Sequence, residues 1–175
     1  MRFLAIVALC VFLAVGYGIL HDQITARVCV EYFTIGHEPI FGTDDPTLLG
    51  LGWGVLATWW VGVMLGVPLA VVARAGSRPK RDAASLVRPL LVLMAASAAC
   101  ALAAGIAGWI LARGGWLHLP EPLASRVPPQ KHVTFLADAC AHSASYLAGF
   151  LGGGLVMLRV WLQRRADQTA SRLAQ

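Results

Sequence analysis

Charge is what this sequence lacks most. Only 13% of its 175 residues are charged, while 58% are hydrophobic. A water-soluble domain carries about 25% charged residues, so too little charge is present to cover a solvated surface of this size. Metal-ligand cysteine spacing is also missing. Cys10, Cys29, Cys100 and Cys140 form no C-x-x-C pair, which argues against a thiolate metal site. No H-E-x-x-H or E-x-x-H run occurs, and no internal or inverted repeat of the transporter kind is visible. Alternating ten-residue segments are absent too, which excludes a membrane β-barrel.

The apolar residues instead fall into four blocks, at about residues 3–20, 47–73, 89–112 and 133–162. Crossing a hydrocarbon core of about 30 Å takes about 20 such residues. Lipid offers the backbone no hydrogen-bond partners, so each block has to be helical. The expected fold is all-α: a four-helix transmembrane bundle forming one integral membrane domain over residues 1–175, with a polar tail at 163–175. The first block is read as an uncut span, because its eighteen apolar residues exceed the 7–15 of a signal-peptide core. Cleavage near Ala14-Val15-Gly16 is the alternative, and leaves three spans.

The net charge of +5 does not indicate a nucleic-acid partner, since the basic residues lie at span ends. With the N-terminus inside, ten fall on the inner side: Arg2, Arg74, Arg78, Lys80, Arg81, Arg88, Arg159, Arg164, Arg165 and Arg172. Four fall outside: Arg27, Arg113, Arg126 and Lys131. The bias favours both ends in the cytoplasm.

The connection at 21–46 mixes acids with Val28, Tyr32, Phe33, Ile35 and Phe41, which favour burial over solvation. It is expected to form a folded loop cap on the outer face. Within it, Asp45-Pro46 reads as an N-cap followed by a first-turn proline. Pro89 is expected in the first turn of the third helix. Trp53, Trp109, Trp116 and Trp161 suit interfacial belts, whereas Trp59 and Trp60 lie deeper and are expected to pack.

Small residues mark packing faces. Ala137, Ala141, Ser145, Gly149 and Gly153 are spaced by four, Gly62 and Gly66 likewise, as are Ala95, Ala99, Ala103 and Ala107. Such ribbons let helices approach closely in lipid. Packing within the chain is the first reading. A homodimer or a partner membrane protein docked on Ala141, Ser145, Gly149 and Gly153 is the second.

Ionisable residues inside a span are expensive and face the bundle interior. Asp138 and His142 are one turn apart in the fourth block, with Tyr146 continuing the face. The first block ends on the same side with His21 and Asp22, and Glu31 follows in the loop. Imidazole plus carboxylate suits a transition metal, so His21, Asp22, Glu31, Asp138 and His142 are the candidate metal ligands. The alternative is a mutually satisfied Asp138–His142 pair.

The stretch Tyr17-Gly18-Ile19-Leu20-His21-Asp22-Gln23-Ile24-Thr25, followed by Glu31-Tyr32-Phe33-Thr34, resembles a segment of uncharacterised bacterial multi-pass membrane proteins. Ala57-Thr58-Trp59-Trp60-Val61-Gly62 and His142-Ser143-Ala144-Ser145-Tyr146 are similar to later parts of such proteins. The resemblance implies only a bacterial membrane protein and assigns no activity and no catalytic residues; the expected location is the bacterial inner membrane. Three functions fit the sequence: an accessory or assembly subunit, which is the most economical; an outer-face metal- or ligand-binding site, with or without catalysis; and a small proton-coupled transporter.

The charge bias generates a topological prediction. Reporter fusions after Lys80 and after Gln175 should both read cytoplasmic, and an external reading at either position would refute the orientation.

Overall fold

The computed structural model describes residues 1–173; Ala174 and Gln175, the end of the expected tail, lie outside them. Every regular element among the described residues is helical. Four helical stretches are long and apolar enough to cross a membrane: Arg2–Val28, Pro46–Arg74, Ala83–Arg113 and Pro129–Leu173. The chain is thus an all-helical, multi-pass membrane protein.

The first helix, α1 (Arg2–Val28), runs well past Leu20. Nothing in His21-Asp22-Gln23-Ile24-Thr25-Ala26 breaks a helix, and Asp22, Thr25 and Ala26 are buried. Helix α1 stops at Cys29, whose backbone is extended and whose N–H bonds the Thr25 carbonyl. The expected 21–46 connection is therefore helical over its first eight residues. A short helix, α2 (Val30–Thr34), follows. Its Phe33 packs with Ala26 and Leu49, and Cys29 is buried with Leu119, Val127 and Phe135.

The second stretch was expected to be one helix and is two: α3 (Pro46–Leu56) and α4 (Trp59–Arg74), interrupted at Ala57 and Thr58. Asp45 caps α3 as its sequence suggests, accepting from Thr47 N and Leu48 N at 2.9 Å. A break at membrane depth frees backbone groups that lipid cannot satisfy. Here side chains supply the partners: the Tyr146 hydroxyl donates to the Ala57 carbonyl at 3.2 Å, and the Thr58 hydroxyl donates to the Gly54 carbonyl.

Helix α5 (Ala83–Arg113) starts earlier than expected, capped by Asp82, which accepts from Ser85 N. Pro89 consequently lies inside the helix, beyond its first turn. After α6 (Leu123–Arg126) and a 3-10 turn at Pro129–Lys131, α7 (His132–Leu173) runs unbroken for 42 residues. The described part of the expected tail is its continuation.

Helix α1 lies against α3 and α4, and α5 runs along α7. The backbones meet at glycines. A Cβ on Gly54 would fall 2.5 Å from Ile19 Cα, and one on Gly62 would fall 2.5 Å from Val11 Cα. Between α5 and α7, Gly105 faces Ala141 and Gly108 faces Cys140. Gly153 meets Leu65 of α4, and Ser145 bonds Tyr17 of α1. The α7 ribbon is thus used within the chain. The Ala95, Ala99, Ala103 and Ala107 stripe is not: all four residues are exposed, while Leu93, Ser97, Ala101 and Gly108 form the buried face of α5. Trp59 and Trp60 also face outward rather than into the bundle.

At the end of the bundle opposite His21, Arg164 of α7 is 3% exposed. Its guanidinium donates to the carbonyls of Val72, Ala75, Arg78 and Pro79. It satisfies carbonyls around the end of α4, as cationic side chains do at helix C-termini. Arg81 adds an ion pair to Asp167 at 2.7 Å.

Overpacking a close helix crossing costs typically about 1–3 kcal/mol. Gly62→Leu should therefore lower the thermal unfolding midpoint in detergent, whereas Gly154→Ala, with nothing within 4 Å, should not. Equal midpoints for Gly62→Leu and wild type would show that α1 and α4 do not touch there.

Candidate functional site: a buried histidine–aspartate cluster

Because α1 continues past Leu20, its last two turns carry His21, Asp22 and Thr25 into the bundle. Residues four apart share a helix face, so Tyr17, His21 and Thr25 form a polar stripe on α1. Asp138, His142 and Tyr146 form the matching stripe on α7. The stripes meet: Tyr17 and Ser145 hydroxyls are 2.7 Å apart, and the His21 and His142 rings lie edge to face with centroids 4.5 Å apart.

Three ligand-capable side chains converge there. One ligand atom each from His21, Asp22 and His142 lies within 4.8 Å of the other two. Asp22 is 4% exposed, and its Oδ1 is 3.9 Å from His142 Nε2. The same nitrogen is 3.2 Å from Thr25 Oγ1. Thr25 gives its only hydroxyl proton to the His21 carbonyl, so His142 is the donor in that contact.

Aromatic rings wall the cluster. Tyr32 of α2 stacks on His142 at 4.5 Å, and Tyr17 stacks on His21 at 5.8 Å. The Nδ1 of His37 lies 2.8 Å from the Tyr32 carbonyl oxygen; since a carbonyl only accepts, Nδ1 carries the proton and donates it. A cavity of about 120 Å³ opens beside His21, Asp22 and His142 and continues down the bundle to Cys10, Leu69 and Val156.

Three polar atoms in and beside this cavity have no hydrogen-bond partner although all are buried: His21 Nε2, Asp138 Oδ2 and Ser97 Oγ. Buried polar atoms are nearly always bonded, so such exceptions require an explanation.

Of the five candidate ligands, His21, Asp22 and His142 come together. Asp138 is inward-facing and 2% exposed, yet it stands outside that group and forms no hydrogen bond with His142. The mutually satisfied Asp138–His142 pair is therefore not what α7 builds. Glu31 is directed elsewhere: its carboxylate lies 3.2 Å from Lys131 Nζ and accepts from Cys29 Sγ. Sequence reasoning missed Tyr17, Thr25 and Tyr32. For Tyr17 and Thr25 the signal was present, since they extend the four-residue spacing of His21.

No protein-family model matches the chain, and neither a curated protein nor a solved structure matches it. The fold and the cluster together define the class: a helical membrane protein with a group of two half-buried histidines and one buried aspartate.

The Glu31–Lys131 pair ties α2 to the turn before α7. Burial pushes the Glu31 carboxyl up, but its own backbone N–H and Lys131 outweigh that and hold it below its ordinary value of 4.5. A depressed carboxylate stabilises the fold above its unfolded value and loses that contribution as pH falls through the folded one. Glu31→Gln should lower the thermal midpoint at neutral pH, the loss of stability being at most about 1 kcal/mol for so exposed a partner. The difference should vanish on acidification below that value. A deficit that persists in acid would mean that the pair is not its source.

Proposed function

We propose that this chain is a metal-binding protein of the bacterial inner membrane, with both ends in the cytoplasm. The basic-residue bias supports that orientation, and the resemblance of the Tyr17–Thr25 segment supports the bacterial source. In that orientation residues 29–45 form a cap on the outer face, and His21, Asp22 and His142 lie beneath it.

One observation carries the metal reading: ligand atoms from two helices, two imidazoles and one carboxylate, gather within 4.8 Å in a buried setting. Two histidines with one carboxylate suit iron, zinc or manganese, and such a set leaves coordination positions open. The neighbouring cavity supplies room for water or a small ligand at those positions. Binding through His142 Nε2 would move the ring proton to Nδ1 and release the contact to Thr25. The side chains need only modest rotation to close on an ion, because ligand atoms around one metal sit closer together than they do here.

Loading the purified full-length protein with Co(II) tests the proposal. Wild type should bind about one equivalent, with visible d–d absorption of a nitrogen–oxygen site. His142→Ala and Asp22→Asn should each weaken binding at least about tenfold, a cost of about 1.4 kcal/mol or more. Glu31→Gln should bind as wild type does. Equal cobalt uptake by wild type and a His21→Ala/His142→Ala double variant would reject a metal site and leave the accessory-subunit reading.

A further inference from the structure

A second space lies on the other side of His21. It measures about 430 Å³, lies between α1, α5 and α7, and is lined by Leu20, Ile24, Leu102 and Trp109. These residues face outward; Leu20 is 70% and Leu102 67% exposed. In a bilayer this groove therefore opens sideways, to lipid rather than water. Its apolar walls are ordinary for a lipid-facing surface, but its floor is not. His21 and Asp138 form part of it, and each carries an unpartnered buried atom, His21 Nε2 and Asp138 Oδ2.

We propose that this groove seats the head of a long-chain lipid alcohol, with the hydroxyl bonded to Asp138 and His21 and the chain lying along Leu20, Ile24 and Leu102. The chemistry of the floor selects the occupant. With the His21 ring proton on Nε2, that nitrogen donates while the Asp138 carboxylate accepts, a pair met by one group that both donates and accepts, which a hydroxyl does and an ether or ester does not. Depth excludes larger heads. Asp138 is six residues into α7, roughly 9 Å along the helix axis, below the level where a charged phospholipid head remains solvated. Bringing a charged head that far into hydrocarbon is costly, whereas a single hydroxyl that gains two partners is not. A lipid reaches the groove from the side without crossing the buried core, and the buried polar atoms of His21 and Asp138 meet its hydroxyl after a small turn of their side chains. This inference goes beyond the metal reading and shares His21 with it, while Asp138 stands outside the three-residue group.

The full chain is reconstituted in phosphatidylcholine vesicles containing octadecanol with a diazirine near the hydroxyl, irradiated, and mapped by peptide mass spectrometry. Label is expected on residues 20–28 and 98–109. Excess 1-octadecanol should remove it, with octadecyl methyl ether about tenfold weaker, the factor that corresponds to one hydrogen bond. Asp138→Leu should cut labelling by a similar factor. Ala98→Trp, which fills the groove wall and leaves the polar floor alone, should do the same. Cobalt binding at His21, Asp22 and His142 should survive Ala98→Trp, so failure of one proposal is distinguishable from failure of the other. Equal competition by alcohol and ether, labelling of Asp138→Leu at the wild-type level, label spread over all four spans, or competition by a quinol alone would each overturn the proposal.

Discussion

The fold depends on α1 lying in direct backbone contact with the broken α3–α4 pair. Gly54 admits the α1 backbone at Ile19, and Gly62 admits it at Val11. In lipid no hydrophobic driving force holds apolar helices together, so close van der Waals approach and buried polar contacts have to do it. The contact also fixes depth. With Ile19 held against Gly54, the next turn of α1 places His21 and Asp22 beside the first turns of α7. Losing the glycine contact would move the site as well as loosen the bundle.

The break at Ala57 and Thr58 belongs to the same arrangement. A continuous helix would satisfy its own carbonyls and offer none to Tyr146. By stopping and restarting, the chain presents the Ala57 carbonyl to α7, and so ties the second span to the helix that carries His142. Tyr17 does the same from α1 through Ser145. Two tyrosines on two helices thus brace α7 immediately below the His–Asp cluster, and both line its cavity.

Much of this was legible in the sequence, and what was not has identifiable causes. Four apolar blocks gave the number of membrane-long helical stretches because lipid leaves the backbone no other choice. Asp45-Pro46 gave the start of α3 because capping is local chemistry. The inward orientation of Asp138 and His142 followed from the cost of exposing ionisable groups to lipid, whereas their neighbour did not, because one sequence does not give the order of helices in the bundle. The break in the second span was hidden because Ala57 and Thr58 do not lower an apolar average. The end of α1 was set too early because hydropathy reports where the apolar run stops, while the helix continues through polar residues that pack inward. The outward alanine stripe on α5 was misread because spacing identifies a face without saying which neighbour, if any, it meets. Arg164 was counted only as a topological charge, since its acceptors are backbone carbonyls that leave no trace in composition.

Arg164 and Asp138 show how differently one chain can treat a buried charge. Removing a charge from water is costly unless its hydrogen bonds are replaced. Around Arg164 every guanidinium nitrogen has a partner: Nε and both terminal nitrogens donate to carbonyls of the α4 end and the following connection. That group is structural, and its partners are fixed parts of the fold. At the opposite end of the bundle, Asp138 Oδ2 of the same helix α7 and His21 Nε2 of α1 have no such partners. A bundle that needed those side chains only for packing would be more stable with apolar residues of similar size in their place. Their free valences, beside a cavity inside the bundle and a groove toward lipid, fit groups whose partners come and go.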